Sequence, residues 1–142
     1  MIRLVFTDGH GMFFRAVTID ERPDGSGAMR VGGQERRDDK RIETRTMLPR
    51  HIRLSAEDMR RITMLGEQSG VWEFEAGTWD ETGDGSIFMH CQLLGMERAD
   101  ADDYCYSEVR IGCNKPRRLM PFVDEIARLA KLRTDKGEML YY

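Results

Sequence analysis

The segment whose residue types come nearest to a chemical site is Asp80-Glu81-Thr82-Gly83-Asp84-Gly85. It opens like a calcium-binding EF-hand loop, with oxygen ligands at the first, third and fifth positions and glycine at the sixth. The twelfth position must be a bidentate Glu, and here it is Cys91; a strand pattern, not a helix, follows. The segment therefore reads as a polar turn entering a strand, with a weak cation site of another kind as the alternative.

Other combinations fail on geometry. Glu97, Asp100, Asp102 and Asp103 form a second acidic loop, but a strand of about ten residues at ~3.3 Å each separates it from Asp80 and Asp84. That spacing opposes a shared two-metal hydrolytic site. His90 and Cys91 are adjacent in a strand pattern and point to opposite faces, so they cannot act as a base and thiol pair. His10, in a turn, and His51, in a loop, have no partner at metal-ligand spacing. Gly25-Ser26-Gly27 and Gly83-Asp84-Gly85 precede strands and lack the helix N-terminus that binds phosphate. No catalytic residue, metal or cofactor is expected.

The feature left is an aromatic among carboxylates. In Val71 to Glu81, Trp72 and Phe74 alternate with Glu73 and Glu75, so the aromatics are expected to close the core beneath a helix end. Trp79 fits inward less readily. With Asp80, Glu81 and Asp84 it forms an acidic, aromatic-bearing patch of the kind that anchors a protein interface, and its charge favours a basic partner. The competing placement folds Trp79 onto a sheet edge.

The elements that must position this patch follow from periodicity. Ile2 to Thr7 and Met12 to Asp20 alternate as strands around the Asp8-Gly9 turn. A turn at Pro23 to Gly27 leads to a short strand, Ala28 to Val31. The charged run Gln34 to Lys40 reads as a loop, and Arg41 to Leu48 as a fourth strand ended by Pro49. A helix begins at Ser55, with Asp58 at the capping-box position, Leu54 stapling to Met59, and Gly70 closing it. Ser86 to Gly95 and Tyr104 to Gly112 read as a hairpin around the loop Met96 to Asp103. A last helix spans Pro116 or Pro121 to Arg133, with Leu119, Phe122, Val123, Ile126, Leu129 and Leu132 buried. The order ββββ-α-ββ-α predicts an α+β domain over residues 1–133. An antiparallel sheet of about six strands carries two helices on one face, and residues 134–142 form a tail.

Composition restricts the function classes. Across 142 residues, 40% hydrophobic and 33% charged, there is enough apolar surface for one core. No apolar run approaches the roughly 20 residues of a membrane span, and Met1 to Asp8 lacks a signal-peptide pattern, so a cytoplasmic location is expected. Three cysteines without C-x-x-C spacing suit reduced thiols. The net charge of -3 is unevenly spread. Residues 1–54 carry +3, residues 55–114 carry -9 and residues 115–142 carry +3. An acidic centre and a pI near 5.7 argue against a nucleic-acid partner.

The succession Gly9-His10-Gly11-Met12-Phe13, Leu54-Ser55-Ala56-Glu57, Trp72-Glu73-Phe74, Asp84-Gly85-Ser86-Ile87-Phe88 and Pro116 to Leu132 resembles the emfourin-type domain. These are small bacterial α+β proteins whose namesake inhibits a thermolysin-like metalloprotease. The resemblance implies a non-enzymatic inhibitor or immunity-type modulator, although this chain adds a hairpin at about Val17 to Leu48 and matches no residue known to enter a protease cleft. The rivals are a metal-dependent hydrolase or cation-binding domain using the acidic loops, and a small-ligand pocket between sheet and helices lined by some of the ten methionines.

Overall fold

The computed structural model describes residues 1–7, 14–38, 41–73, 78–79, 92–110 and 117–132, with the backbone path alone for 35–38, 41–45, 78–79 and 110. Ile2–Thr7 (β1) pairs with Phe14–Glu21 (β2), which pairs with the long strand Gly27–Asp38 (β3), all antiparallel. The outer edge of β3 is shared. Its second half pairs with Arg41–Thr46 (β4), and its first half with Arg50–Leu54 (β5). On the other side of β1 come Leu93–Ala99 (β7) and Tyr104–Arg110 (β8), again antiparallel. Thr78–Trp79 (β6) adds two residues beyond β8.

The α+β class, with an antiparallel sheet and two helices on one face, is the arrangement read from periodicity, and six strands make its continuous antiparallel path, β4-β3-β2-β1-β7-β8. Two additions were not foreseen. The stretch before the helix, taken as loop around His51, is the strand β5, and β6 joins β8 in parallel. Boundaries move as well: the strand from Arg41 ends at Thr46, not Leu48, and the last helix ends at Leu129, short of Arg133. The charged run from Gln34 is the second half of β3, not a loop, because β4 supplies a ladder for its backbone. The expected loop from Met96 shortens to Asp100–Asp103, because β7 continues through Gly95 and pairs with β1 as far as Arg98.

Registers place the core on one face. Leu4 lies between Val17 and Met96, and Phe6 beside Leu94, which faces Val109. Each of these side chains is at most 1% exposed. Leu93, next in sequence, is on the other face and only partly buried. The first part of the strand read from Ser86, as far as Cys91, lies outside the described residues.

Ala56–Ser69 (α1) forms as its sequence requires. Ser55 Oγ accepts from the Asp58 backbone N–H at 3.1 Å, and Asp58 Oδ2 accepts from the Ser55 N–H at 2.9 Å. Gly70 ends the helix at φ 66°, a left-handed conformation that glycine adopts without Cβ strain. Met59 and Ile62 are buried, and Leu65 packs at the core margin. Met120–Leu129 (α2) carries Pro121 in its first turn, where no intrahelical N–H is missed, and buries Phe122, Val123 and Ile126. A 3-10 turn, Val71–Glu73, follows α1 and sets Trp72 edge-on to Phe122 at 5.6 Å and 87°.

The helices are also clamped electrostatically. Glu125 is 6% exposed. It accepts two hydrogen bonds from Arg128, from Nη2 at 2.7 Å and Nε at 3.0 Å, and its Oε1 lies 3.1 Å from Arg61 Nε on α1. The Arg128 hydrogen bonds, reinforced by the charges of Arg128 and Arg61, hold the carboxyl below its ordinary value of 4.5 despite burial. A carboxyl lowered in the folded state stabilises fully above the unfolded value and loses that contribution as pH falls through the folded one. Urea titrations of the parent and Glu125→Gln should therefore differ above pH 4.5 and converge as the medium is made more acidic. A constant difference down to strong acid would remove the clamp from the account.

Candidate functional site

Strand alternation gives the sheet a second face, which neither helix covers. Its residues are the odd members of β1 and β7 and the even members of β2, β3 and β8. One row runs across six strands in register: His51, Arg30, Thr18, Arg3, Glu97, Tyr106. The next row toward the other end is Gly32, Ala16, Val5, Gly95, Glu108. The polar row is thus positive toward β3 and β5 and negative toward β7 and β8, and beside it lies a small apolar floor.

The charges are held differently in the two halves. Arg30, His51 and Arg53 stand exposed on β3 and β5. They line, with Thr18, Asp20 and Arg22, a shallow hollow of about 620 Å³. No ion pair engages Arg22, Arg30 or Arg53 among the described residues. Asp24, in the turn between β2 and β3, takes hydrogen bonds from the Ser26 hydroxyl at 2.6 Å and backbone N–H at 2.9 Å. Those bonds first, and the nearby Arg22 and Arg53 charges after them, lower its pKa. At the centre Arg3 Nε meets Glu97 Oε2 at 3.4 Å. In the acidic half the Tyr106 hydroxyl donates to Glu108 Oε2 at 3.1 Å. Burial, and then this bond to a carboxylate, raises the phenol's pKa. Tyr106 lies over Gly95, where an added Cβ would stand 3.4 Å from its Oη. Tyr104, at the end of the same strand, is 62% exposed.

The loop Asp100–Asp103 closes the acidic half. Asp100 Oδ1 accepts the backbone N–H groups of Asp103 at 2.9 Å and Asp102 at 3.1 Å, and Asp103 Oδ1 accepts that of Tyr104 at 2.9 Å. The bonds from Asp102 and Asp103 lower the Asp100 pKa. These carboxylates shape a turn, the usual role of Asp in such positions. Among the described residues no three His, Cys, Asp or Glu side chains are grouped to hold a metal.

Of the patch expected to bind a partner, Asp80, Glu81 and Asp84 lie outside the described residues. For Trp79 the backbone is described: it is the last residue of β6, paired with Val109 at the β8 edge. It therefore borders the acidic half of the helix-free face. His10 and His90 also lie outside, and His51 is a strand residue. Cys105 donates its S–H to the Trp72 carbonyl at 3.3 Å. The cleft between sheet and α1, lined by Met59, Thr63, Glu67, Trp72 and Arg98, measures about 190 Å³.

Sequence reasoning missed the helix-free face as a site. Its signal was present, since Arg3, Val5 and Thr7 alternate with Leu4 and Phe6. Only the registers of three strand pairings, β3 with β2, β2 with β1 and β1 with β7, align Arg30 with Arg3 and Glu97. No family model matches the chain, and no curated protein matches its sequence. No helix among the described residues is long and apolar enough to cross a membrane.

Proposed function

We propose that the chain is a non-enzymatic protein-interaction domain, acting in the cytoplasm as an inhibitor or immunity-type modulator does, by occupying a partner's surface. The observation that supports this most is the helix-free sheet face. Val5 and Ala16 lie between exposed arginines and the carboxylate-rich half that carries Tyr104 and Tyr106. Tyrosine and arginine around an apolar centre are the side chains that protein interfaces favour. The patch of Trp79, Asp80, Glu81 and Asp84 read from the sequence belongs to the same proposal, and its charge suits a basic partner.

The test is capture from the source lysate on immobilised chain, with identification of what is retained. Two variants accompany the parent: Arg30→Glu on the face, and Trp79→Ala combined with Asp80→Lys and Glu81→Lys at the edge. A protein retained by the parent and lost with either variant supports the reading. Retention of nothing, or retention unchanged by both, sinks it.

A further inference from the structure

The charges of the helix-free face are arranged so that the face complements itself. Resting on the interaction reading above, we propose that one occupant of this face is a second copy of the chain, paired about a two-fold axis parallel to β1. Rotation about that axis exchanges the two sides of the sheet. It carries β3 of one copy over β8 of the other, β2 over β7, and Val5 onto the axis beside its own symmetry mate. Arg30 of each copy then comes over Tyr106 and Glu108 of the other, where a guanidinium can both stack on the ring and meet the carboxylate. Ala16 faces Gly95 across the floor, two small residues that allow sheets to approach. Both ends of the strands keep their level under this rotation, so Arg22 and Arg53, which share their corner with Asp20 and Asp24, face the loop Asp100–Asp103. The same rotation sets Arg3 beside its own mate, each held by Glu97 of its own sheet at 3.4 Å, whereas an axis across the strands would lay the arginine-bearing strands β3 and β5 over β3 and β5 and forgo the contact of Arg30 with Glu108.

Area bounds the size class of the contact. Six strands at ~4.8 Å and five residues at ~3.3 Å give a patch of roughly 500 Å² per copy, about 1,000 Å² in total, at the lower limit for a specific interface. The pair should therefore be weak, reversible and sensitive to salt.

Sedimentation velocity of the full chain from about 5 μM to 0.5 mM covers the range in which an interface of this size associates. The expected result is a concentration-dependent monomer–dimer equilibrium. Arg30→Glu and Glu108→Arg alone should each weaken it about tenfold or more by opposing like charges, and the two combined should restore it. Both side chains lie on the face that neither helix covers, and unchanged circular dichroism and melting temperature confirm that the variants fold. Val5→Asp, at the axis, should abolish the dimer. A monomer throughout the range, or a dimer indifferent to all these variants, overturns self-pairing. If the chain is monomeric yet Arg30→Glu abolishes capture of another protein, self-pairing falls and the interaction reading stands. If neither association nor capture responds, both fall.

Discussion

Phe122→Ala should cost about 3–5 kcal/mol, the range for deleting a fully buried phenylalanine where the surroundings cannot collapse. Phe122 is 0% exposed and stands where three parts of the fold meet. Its ring makes a T-shaped pair with Trp72, and its Cε2 lies 3.3 Å from where a Cβ on Gly66 would be. Alanine leaves Trp72 without its ring partner and opens a void between α1 and α2. Neither helix can close that void freely, because Glu125 with Arg61 ties them together and Arg50 Nη2 donates to the Ala130 carbonyl at 2.9 Å. A domain of this size is stable by only about 5–15 kcal/mol, so the loss is a large share of the total. Urea denaturation checks it: the midpoint should fall sharply with an unchanged slope. A shift worth under about 1 kcal/mol would mean that the helix interface is not packed as described.

The second large effect separates adjacent glycines. Gly33→Ala should destabilise by about 2–4 kcal/mol, from backbone strain together with a steric clash. Gly33 has φ 145°, and a Cβ there would collide with the Phe14 carbonyl oxygen of the neighbouring strand. That oxygen belongs to the backbone and cannot swing away. Gly32→Ala, by contrast, meets nothing within 4 Å and should be close to neutral. Thermal denaturation of the two variants side by side is the check. Equal effects would contradict the β2–β3 register, which places Gly33 opposite Arg15 and Gly32 opposite Ala16.

The elements legible in the sequence are those defined by local chemistry. Ser55, Asp58 and Gly70 fix α1 because caps act within a few residues. Pro121 and the stripe from Phe122 to Ile126 do the same for α2. The strand β5 was not legible, because Arg50 to Leu54 is short, follows Pro49 and runs directly into a helix cap. Its strand character depends on β3 being long enough to hold two partners on one edge. Met96 was read as loop because Gly95 looks like a strand end. Buried at 0% exposure, it belongs to the core because β1 continues alongside. The helix-free face has the same origin. Arg30, Arg3 and Glu97 are far apart in the chain and become one row only through pairing, which periodicity within a segment does not specify.

Nuclear magnetic resonance of the full chain over the same concentration series tests the central claim most directly, because Leu4 and Val5 are consecutive residues on opposite faces. On self-association the Val5 and Ala16 methyl signals should shift with concentration while those of Leu4 and Val17 stay fixed. Shifts at Leu4 and Val17 with none at Val5, or no concentration dependence at either pair, would contradict a face-to-face encounter.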